Sequence, residues 1–250
     1  MQPWPYPFWV AHRGAGKLAP ENTLAAFRVG AAHGYRAFEC DVKLSADGAL
    51  FLLHDAGLQR TTSGSGTAGQ QPWSDLSRLD AGGWHSRAYA GEPLASLDAI
   101  AAYVLRNGYA LNIEIKPTPG EEARTGDAVA RYVAQCWPAD TLPPLLSSFQ
   151  PAALAAAQTA APQCPRALLL DTLQEGWLTL ARSLECVAIV AAYPLLDRAV
   201  IQQAHDAGLR VLAYTVNDPA EAHRLRDAGI DGLITDEVAR FSPDPAAIRD

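Results

Sequence analysis

Glu39-Cys40-Asp41 and Glu114-Ile115-Lys116 each carry two charged side chains two residues apart. On an extended strand that spacing aims both at one face, so two such strands side by side would gather three carboxylates and an ammonium. Crowded carboxylates repel one another and retain protons. A hard divalent cation resolves the conflict, and ligation by oxygen alone points to Mg²⁺ or Ca²⁺. The competing reading is an ion-pair network joining Glu39, Asp41 and Glu114 to Arg13, Arg36 and Lys116.

Two imidazoles accompany these groups. His12-Arg13-Gly14 and His54-Asp55 each follow an apolar run, at the point where a strand becomes a loop. Cleaving a phosphodiester takes a base to deprotonate the attacking hydroxyl and an acid to protonate the departing oxygen, and imidazole titrates near neutral pH. A single histidine is more often a hydrogen-bonded structural residue; two at equivalent places form a candidate acid–base pair. The other histidines do not qualify. His33 and His205 fall in last helical turns, where the helix dipole favours a cation, His223 reads as helical surface, and His85 lies in a loop-rich stretch without an evident partner. Arg13 offers a planar fork of donors and Lys116 a point charge, which makes them the candidate phosphate contacts, with structural ion pairing as the alternative for each. In Ala19-Pro20-Glu21-Asn22-Thr23, either Asn22 or Thr23 stands in capping position before a helix. Capping is the main role expected of Asn22, and Glu21 is a candidate contact to metal or substrate.

These residues need a frame. A helix that stops at Gly and gives way at once to a β-rich run recurs at Gly34, Gly108, Gly208 and Gly229, each a short connection from helix to strand. Candidate strands fall at 8–12, 37–41, 111–116, 145–149, 166–170, 187–191, 211–215 and 232–235. Strands alternating with helices imply a parallel sheet, and about eight of them close a (β/α)8 barrel. The extra run Leu50-Phe51-Leu52-Leu53-His54 follows too soon for a parallel crossover. It must return antiparallel from a turn at Asp47-Gly48, which brings His54 beside Glu39 and Asp41, at the strand ends where barrel enzymes keep their chemistry. The Gly-, Ser- and Thr-rich stretch at about 56–96 exceeds an ordinary loop of about 2–6 residues. It reads as an insertion capping the barrel mouth, in competition with an unrelated surface excursion.

Composition narrows the function. At 250 residues, about half of them apolar, the chain suits one barrel domain. A net charge of -7 disfavours a nucleic-acid footprint, so phosphate must be met by a few cations in a pocket. No apolar run is long enough to span a membrane and no export signal is evident, so a chain without a membrane anchor is expected. Cys40, Cys136, Cys164 and Cys186 are widely spaced, which fits reduced thiols and a cytoplasmic location. Ser147 and Ser148 have no evident base partner and no cysteine joins the strand-end motifs, so the substrate's own neighbouring hydroxyl is the expected nucleophile.

The ordered series Val10-Ala11-His12-Arg13-Gly14, Ala19-Pro20-Glu21-Asn22-Thr23, Glu39-Cys40-Asp41, Leu53-His54-Asp55, Ile113-Glu114-Ile115-Lys116, Leu146-Ser147-Ser148-Phe149, Tyr214-Thr215-Val216-Asn217 and Asp231-Gly232-Leu233-Ile234-Thr235-Asp236 resembles the glycerophosphodiester phosphodiesterase family. It is most similar to the small cytosolic bacterial type that accompanies glycerol 3-phosphate uptake. Each motif is weak alone; the order is specific and runs along nearly the whole chain. The resemblance implies a single TIM barrel of the phospholipase-C-like phosphodiesterase type over 1–250, with the family's insertion lying over the mouth and shaping the glycerol side. It implies hydrolysis of glycerophosphodiesters, such as glycerophosphocholine or glycerophosphoethanolamine, to sn-glycerol 3-phosphate and an alcohol. It implies one Mg²⁺ or Ca²⁺ held by Glu39, Asp41 and Glu114, His12 and His54 as the acid–base pair, and Arg13 and Lys116 on the phosphate. The family's W-T-V-N run reads Tyr214-Thr215-Val216-Asn217 here, which keeps an aromatic wall but alters its stacking. A homodimer is compatible with this reading. Two alternatives compete: a related barrel enzyme acting on lysophospholipids or phosphoinositides, for which the insertion offers only Trp73, Trp84 and Tyr89 as large aromatics, and a non-catalytic receptor for glycerophosphoryl ligands.

Overall fold

The computed structural model describes residues 3–241 and 243. Strands β1 (Trp9–Ala11), β2 (Ala37–Leu44), β4 (Ala110–Ile115), β5 (Leu145–Ser148), β6 (Arg166–Leu170), β7 (Ala188–Ala192), β8 (Arg210–Tyr214) and β9 (Gly232–Thr235) pair in parallel, and β1 meets both β2 and β9, so the sheet closes. The short β3 (Leu50–Leu52) lies antiparallel on β2 and stays outside that closure. Helices α1 (Leu24–Ala32), α3 (Leu97–Asn107), α4 (Glu122–Cys136), α5 (Pro151–Ala160), α6 (Trp177–Ser183), α7 (Arg198–Asp206) and α8 (Pro219–Ala228) alternate with the strands. This is the (β/α)8 barrel expected from the sequence. Several strands end one residue earlier than their apolar runs, so that His12, Lys116, Phe149 and Thr215 become the first loop residues above the barrel.

Local chemistry explains the boundaries. Thr23, Ser96, Asp197 and Asp218 each cap a helix by accepting a backbone N–H from its first turn. The four glycines read as helix stops all have positive φ. Thr23, rather than Asn22, caps α1: its hydroxyl accepts from Ala26 N at 3.2 Å and donates to Pro20 O at 2.7 Å. The expectation of a capping Asn22 is therefore wrong.

Strand parity sorts the core. Phe38, Cys40, Val42, Leu111, Ile113 and Ile115 join the large cluster between sheet and helices. Ala37 and Ala110, on the opposite parity, fill the barrel interior with Val10, Leu145, Ala167, Leu169, Ala188, Val190, Leu212 and Ile234. Further along the same inward rows stand Glu39, Asp41 and Lys43 on β2 and Asn112 and Glu114 on β4, all buried. The interior thus changes from an apolar plug to a charged layer within one strand length.

Between β3 and α3 the chain builds a small body that includes α2 (Trp73–Leu76), around Phe51, Leu53, Leu58, Ala68, Leu76, Ala81 and Leu94. It is tied to the barrel at Glu92, whose carboxylate accepts from Ala25 N at 3.0 Å, and at His85, which gains a partner unseen in sequence: its Nε2 lies 3.1 Å from Lys17 O. No helix among the described residues is long and apolar enough to cross a membrane.

Candidate active site

The register places the functional side chains. Asp41 pairs with Glu114 across β2 and β4, and Glu39 stands level with Asn112. One carboxylate oxygen from each of Glu39, Asp41 and Glu114 falls within 4.8 Å of the other two. Burial first, and then the charge of Asp41, pushes Glu39 up to about 7 and Glu114 up to about 8. Against the burial that would raise it, Arg13 and Lys116 hold Asp41 below the ordinary carboxylate range. Three buried oxygen donors, two of them raised by burial and by the charge of Asp41, fit a hard divalent cation. The buried acidic triad could hold such an ion.

The ion-pair network read as the alternative is also present in part. Lys116 Nζ lies 2.8 Å from Glu114 and 3.3 Å from Asp41. Arg13 Nε approaches Asp41 Oδ2 to 3.2 Å without hydrogen-bond geometry, so that contact is charge pairing alone. Arg36 takes no part, because its guanidinium donates to Ala31 O and Tyr35 O instead. Asn22, in the left-handed region at φ 60, is a bracket for Asp41: its Nδ2 donates to Oδ2 at 2.8 Å and its Oδ1 accepts the Asp41 N–H at 3.1 Å. Glu21 is not one of the three clustered carboxylates and is held instead by Arg13 Nη1 at 2.8 Å and by Arg60 on both of its oxygens.

Both histidines are backed by carboxylates. His12 Nδ1 lies 2.6 Å from Asp236 Oδ1, and His54 Nδ1 lies 2.7 Å from Asp55 Oδ1. A carboxylate only accepts, so each Nδ1 carries a proton and each Nε2 is presented elsewhere. His12 Nε2 stands 3.8 Å from Glu39. Burial, which lowers a histidine, is outweighed at His12 by Asp236 and Glu39, and the ring is raised; at His54 burial prevails and the ring is lowered.

His12, His54, Glu39, Glu114, Arg13 and Lys116 line a cleft of about 530 Å³ with Asn112, Ser147, Phe149, Tyr214 and Thr215. Tyr214 donates to Leu170 O at 3.1 Å and meets Phe149 edge-on, so its ring is a fixed wall. A second lobe of about 590 Å³ shares His54, Glu114, Lys116 and Phe149 and opens past Lys43 and Pro119. From the insertion, Ala56 alone lines either lobe. The insertion's own apolar cluster packs with Phe51 of β3.

Sequence reasoning overlooked several residues. Asp55 is flagged by adjacency to His54. Asp236 is not, since it lies 224 residues from His12 and is brought there by the pairing of Ala11 with Thr235. Asn217 then holds Asp236 through its Oδ1 on the backbone N–H at 2.8 Å. Buried Lys43, inward by the same parity as Glu39 and Asp41, donates to Lys116 O at 3.0 Å, and burial lowers it to about 8. Asn112 Oδ1 and Ser147 Oγ face the cleft floor without a hydrogen-bond partner among the described residues.

A barrel with paired imidazoles and an acidic triad at the C-terminal ends of its strands is the frame of a phosphodiesterase. Residues 12–240 match the glycerophosphoryl diester phosphodiesterase family, and the chain belongs to that family of enzymes. A glycerophosphodiester phosphodiesterase of Caldanaerobacter subterraneus is 30% identical, covering 91% of this chain and 93% of its own. A phosphodiesterase of Oleispira antarctica, solved in complex with the product sn-glycerol 3-phosphate, is 33% identical, with a TM-score of 0.90 over 97% of this chain and 96% of its own. A glycerophosphodiester phosphodiesterase of Agrobacterium tumefaciens is 28% identical, with a TM-score of 0.76 over 96% and 98%.

Proposed function

We propose that this chain hydrolyses small glycerophosphodiesters, such as glycerophosphocholine and glycerophosphoethanolamine, to sn-glycerol 3-phosphate and the free alcohol. The observation that carries the reading is one cleft in which two carboxylate-backed imidazoles flank three buried carboxylates. The Oleispira antarctica relative with bound sn-glycerol 3-phosphate supports the identity of the product.

Glu39, Asp41 and Glu114 would hold the ion, Mg²⁺ or Ca²⁺, which when bound offsets charge on the phosphoryl oxygens. Arg13 and Lys116 orient the phosphate at the rim of the same layer. One of His12 and His54 takes the proton of the glycerol C2 hydroxyl, whose oxygen attacks phosphorus as the bond to the alcohol oxygen breaks. The other histidine protonates that departing oxygen. Water then opens the cyclic 1,2-phosphate with the two roles reversed. Holding the nucleophile within the substrate is worth several kcal/mol, up to roughly 7–11 in the best cases. All four cysteines are free, which supports a reducing compartment, the cytoplasm.

The test is release of glycerol 3-phosphate from glycerophosphocholine and from its 2-deoxy analogue, with and without a chelator. Turnover that needs the metal and collapses for the analogue is expected. Equal kcat for both substrates removes the cyclic intermediate, and turnover indifferent to the chelator removes the metal.

A further inference from the structure

Arg60 belongs to the insertion and lines neither lobe of the cleft, and its side chain is 43% exposed. Its guanidinium nonetheless makes two forks. Nε and Nη2 donate to Asp55 at 2.6 and 3.0 Å, while Nη1 and Nη2 donate to Glu21 at 2.8 Å each. Asp55 in turn holds His54 Nδ1, and Glu21 holds Arg13 Nη1. One side chain thus stands at the junction of two chains of contacts, one ending on an imidazole and the other on the guanidinium beside Asp41.

The junction is anchored. The turn carrying Arg60 is closed by Thr62, whose N–H and hydroxyl both donate to Leu58 O, at 3.1 and 2.7 Å. Leu58 and Thr61 on either side are buried. Asp55, by contrast, is 32% exposed and sits on a loop, where a carboxylate held by one contact samples several rotamers. A bidentate fork fixes both oxygens at once, which a lysine ammonium does not do.

We propose that Arg60 is a positioning residue for the reaction proposed above, on which this inference rests: it orients His54 through Asp55 and Arg13 through Glu21. The insertion thereby assembles part of the site through a side chain that lines neither lobe. Because His54 acts on protons in flight and Arg13 on bound phosphate, the two arms separate kinetically. The arm through Asp55 acts on kcat and the arm through Glu21 on KM.

Kinetics of glycerol 3-phosphate release by the full chain with Mg²⁺ test this. Arg60→Ala lowers kcat by about 10–100-fold, as loss of an outer-shell partner does, and raises KM. The melting temperature stays within about 4 °C of wild type, since exposed ion pairs add little to stability. Asp55→Asn lowers kcat alone, and Glu21→Gln raises KM alone. In the Arg60→Ala background Asp55→Asn adds less than about twofold, because the two act through one path. Arg60→Lys, which keeps the charge and loses the fork, recovers only part of kcat and serves as the test variant if Arg60→Ala does not fold. Wild-type kcat in both Arg60 variants overturns the proposal. So do losses that multiply with Asp55→Asn, or a melting temperature low enough to explain the lost activity by unfolding. A wild-type chain that turns over no glycerophosphodiester overturns the underlying reaction, and the positioning role with it.

Discussion

The two imidazoles reach one cleft by different routes. His12 follows β1 within the closed sheet, where its N–H donates to Thr235 O at 3.0 Å and its carboxylate partner is the next residue along the neighbouring strand. Asn217, from beyond β8, holds that partner in turn. His54 follows a three-residue edge strand, takes its carboxylate from the adjacent residue, and depends on Arg60 to hold that carboxylate from outside. Side-chain exposure follows the same division, 16% for His12 and 30% for His54. One carboxylate-to-Nδ1 contact is built by barrel closure and the other by a dipeptide with a clamp. The first inherits the stiffness of a cooperative sheet, and the second is only as rigid as the loop contacts around it.

If both are members of an acid–base pair, the largest effect is shared. His12→Ala and His54→Ala each lower kcat by about 10²–10⁴-fold with far-UV circular dichroism unchanged. Near-normal turnover in either variant breaks the pairing. The supporting carboxylates then separate the two routes. Asp236→Asn and Asp55→Asn each lower kcat by about 10–100-fold. Asp236→Asn also costs more stability, about 1–3 kcal/mol in urea denaturation, because all its side-chain contacts are part-buried where those of Asp55 with Arg60 meet solvent. Equal destabilisation by the two variants would erase the contrast.

Titration sharpens it further. In metal-free protein, NMR of the imidazoles should place His12 above the ordinary 6.5 and His54 below it. The signs for stability are opposite. His12, raised, favours the folded chain below 6.5, and that contribution is lost as pH rises through its folded value. His54, lowered, penalises the folded chain increasingly as pH falls from 6.5 through its folded value. A reversed order of titration contradicts the two environments described. The smallest effect concerns Thr23, which caps the helix after the His12 loop. Thr23→Ala should cost about 1 kcal/mol of stability. It should leave kcat within about twofold, since His12 is pinned by the sheet rather than by α1. A large kcat loss would show that the loop, not the barrel, positions His12.

Much of the site was legible because strand parity is local. Glu39 and Asp41 share one face of their strand whatever its register, and the pairing of Asp41 with Glu114 brings the third carboxylate to that face. Asn22 was misread because Asn and Thr are both good caps and stand side by side here. What separates them is the approach of Asp41, a contact that no helix-start pattern contains. The Gly-rich composition of the insertion gave no sign of the apolar cluster that it builds with Phe51 of β3.

By itself the amino-acid sequence determined the alternation of strands and helices, the hairpin that returns His54, and the inward row of charges. Each of these depends on residues a few positions apart, whose periodicity and capping chemistry act before distant parts of the chain meet. Tertiary structure alone decided which carboxylate backs His12, which of two neighbours caps α1, and that one arginine of the insertion reaches toward both His54 and Arg13. Those contacts join Asp236 to His12 across 224 residues and Arg60 to Glu21 across 39. They exist only once loop-closure entropy has been overcome and β1 has paired with both β2 and β9.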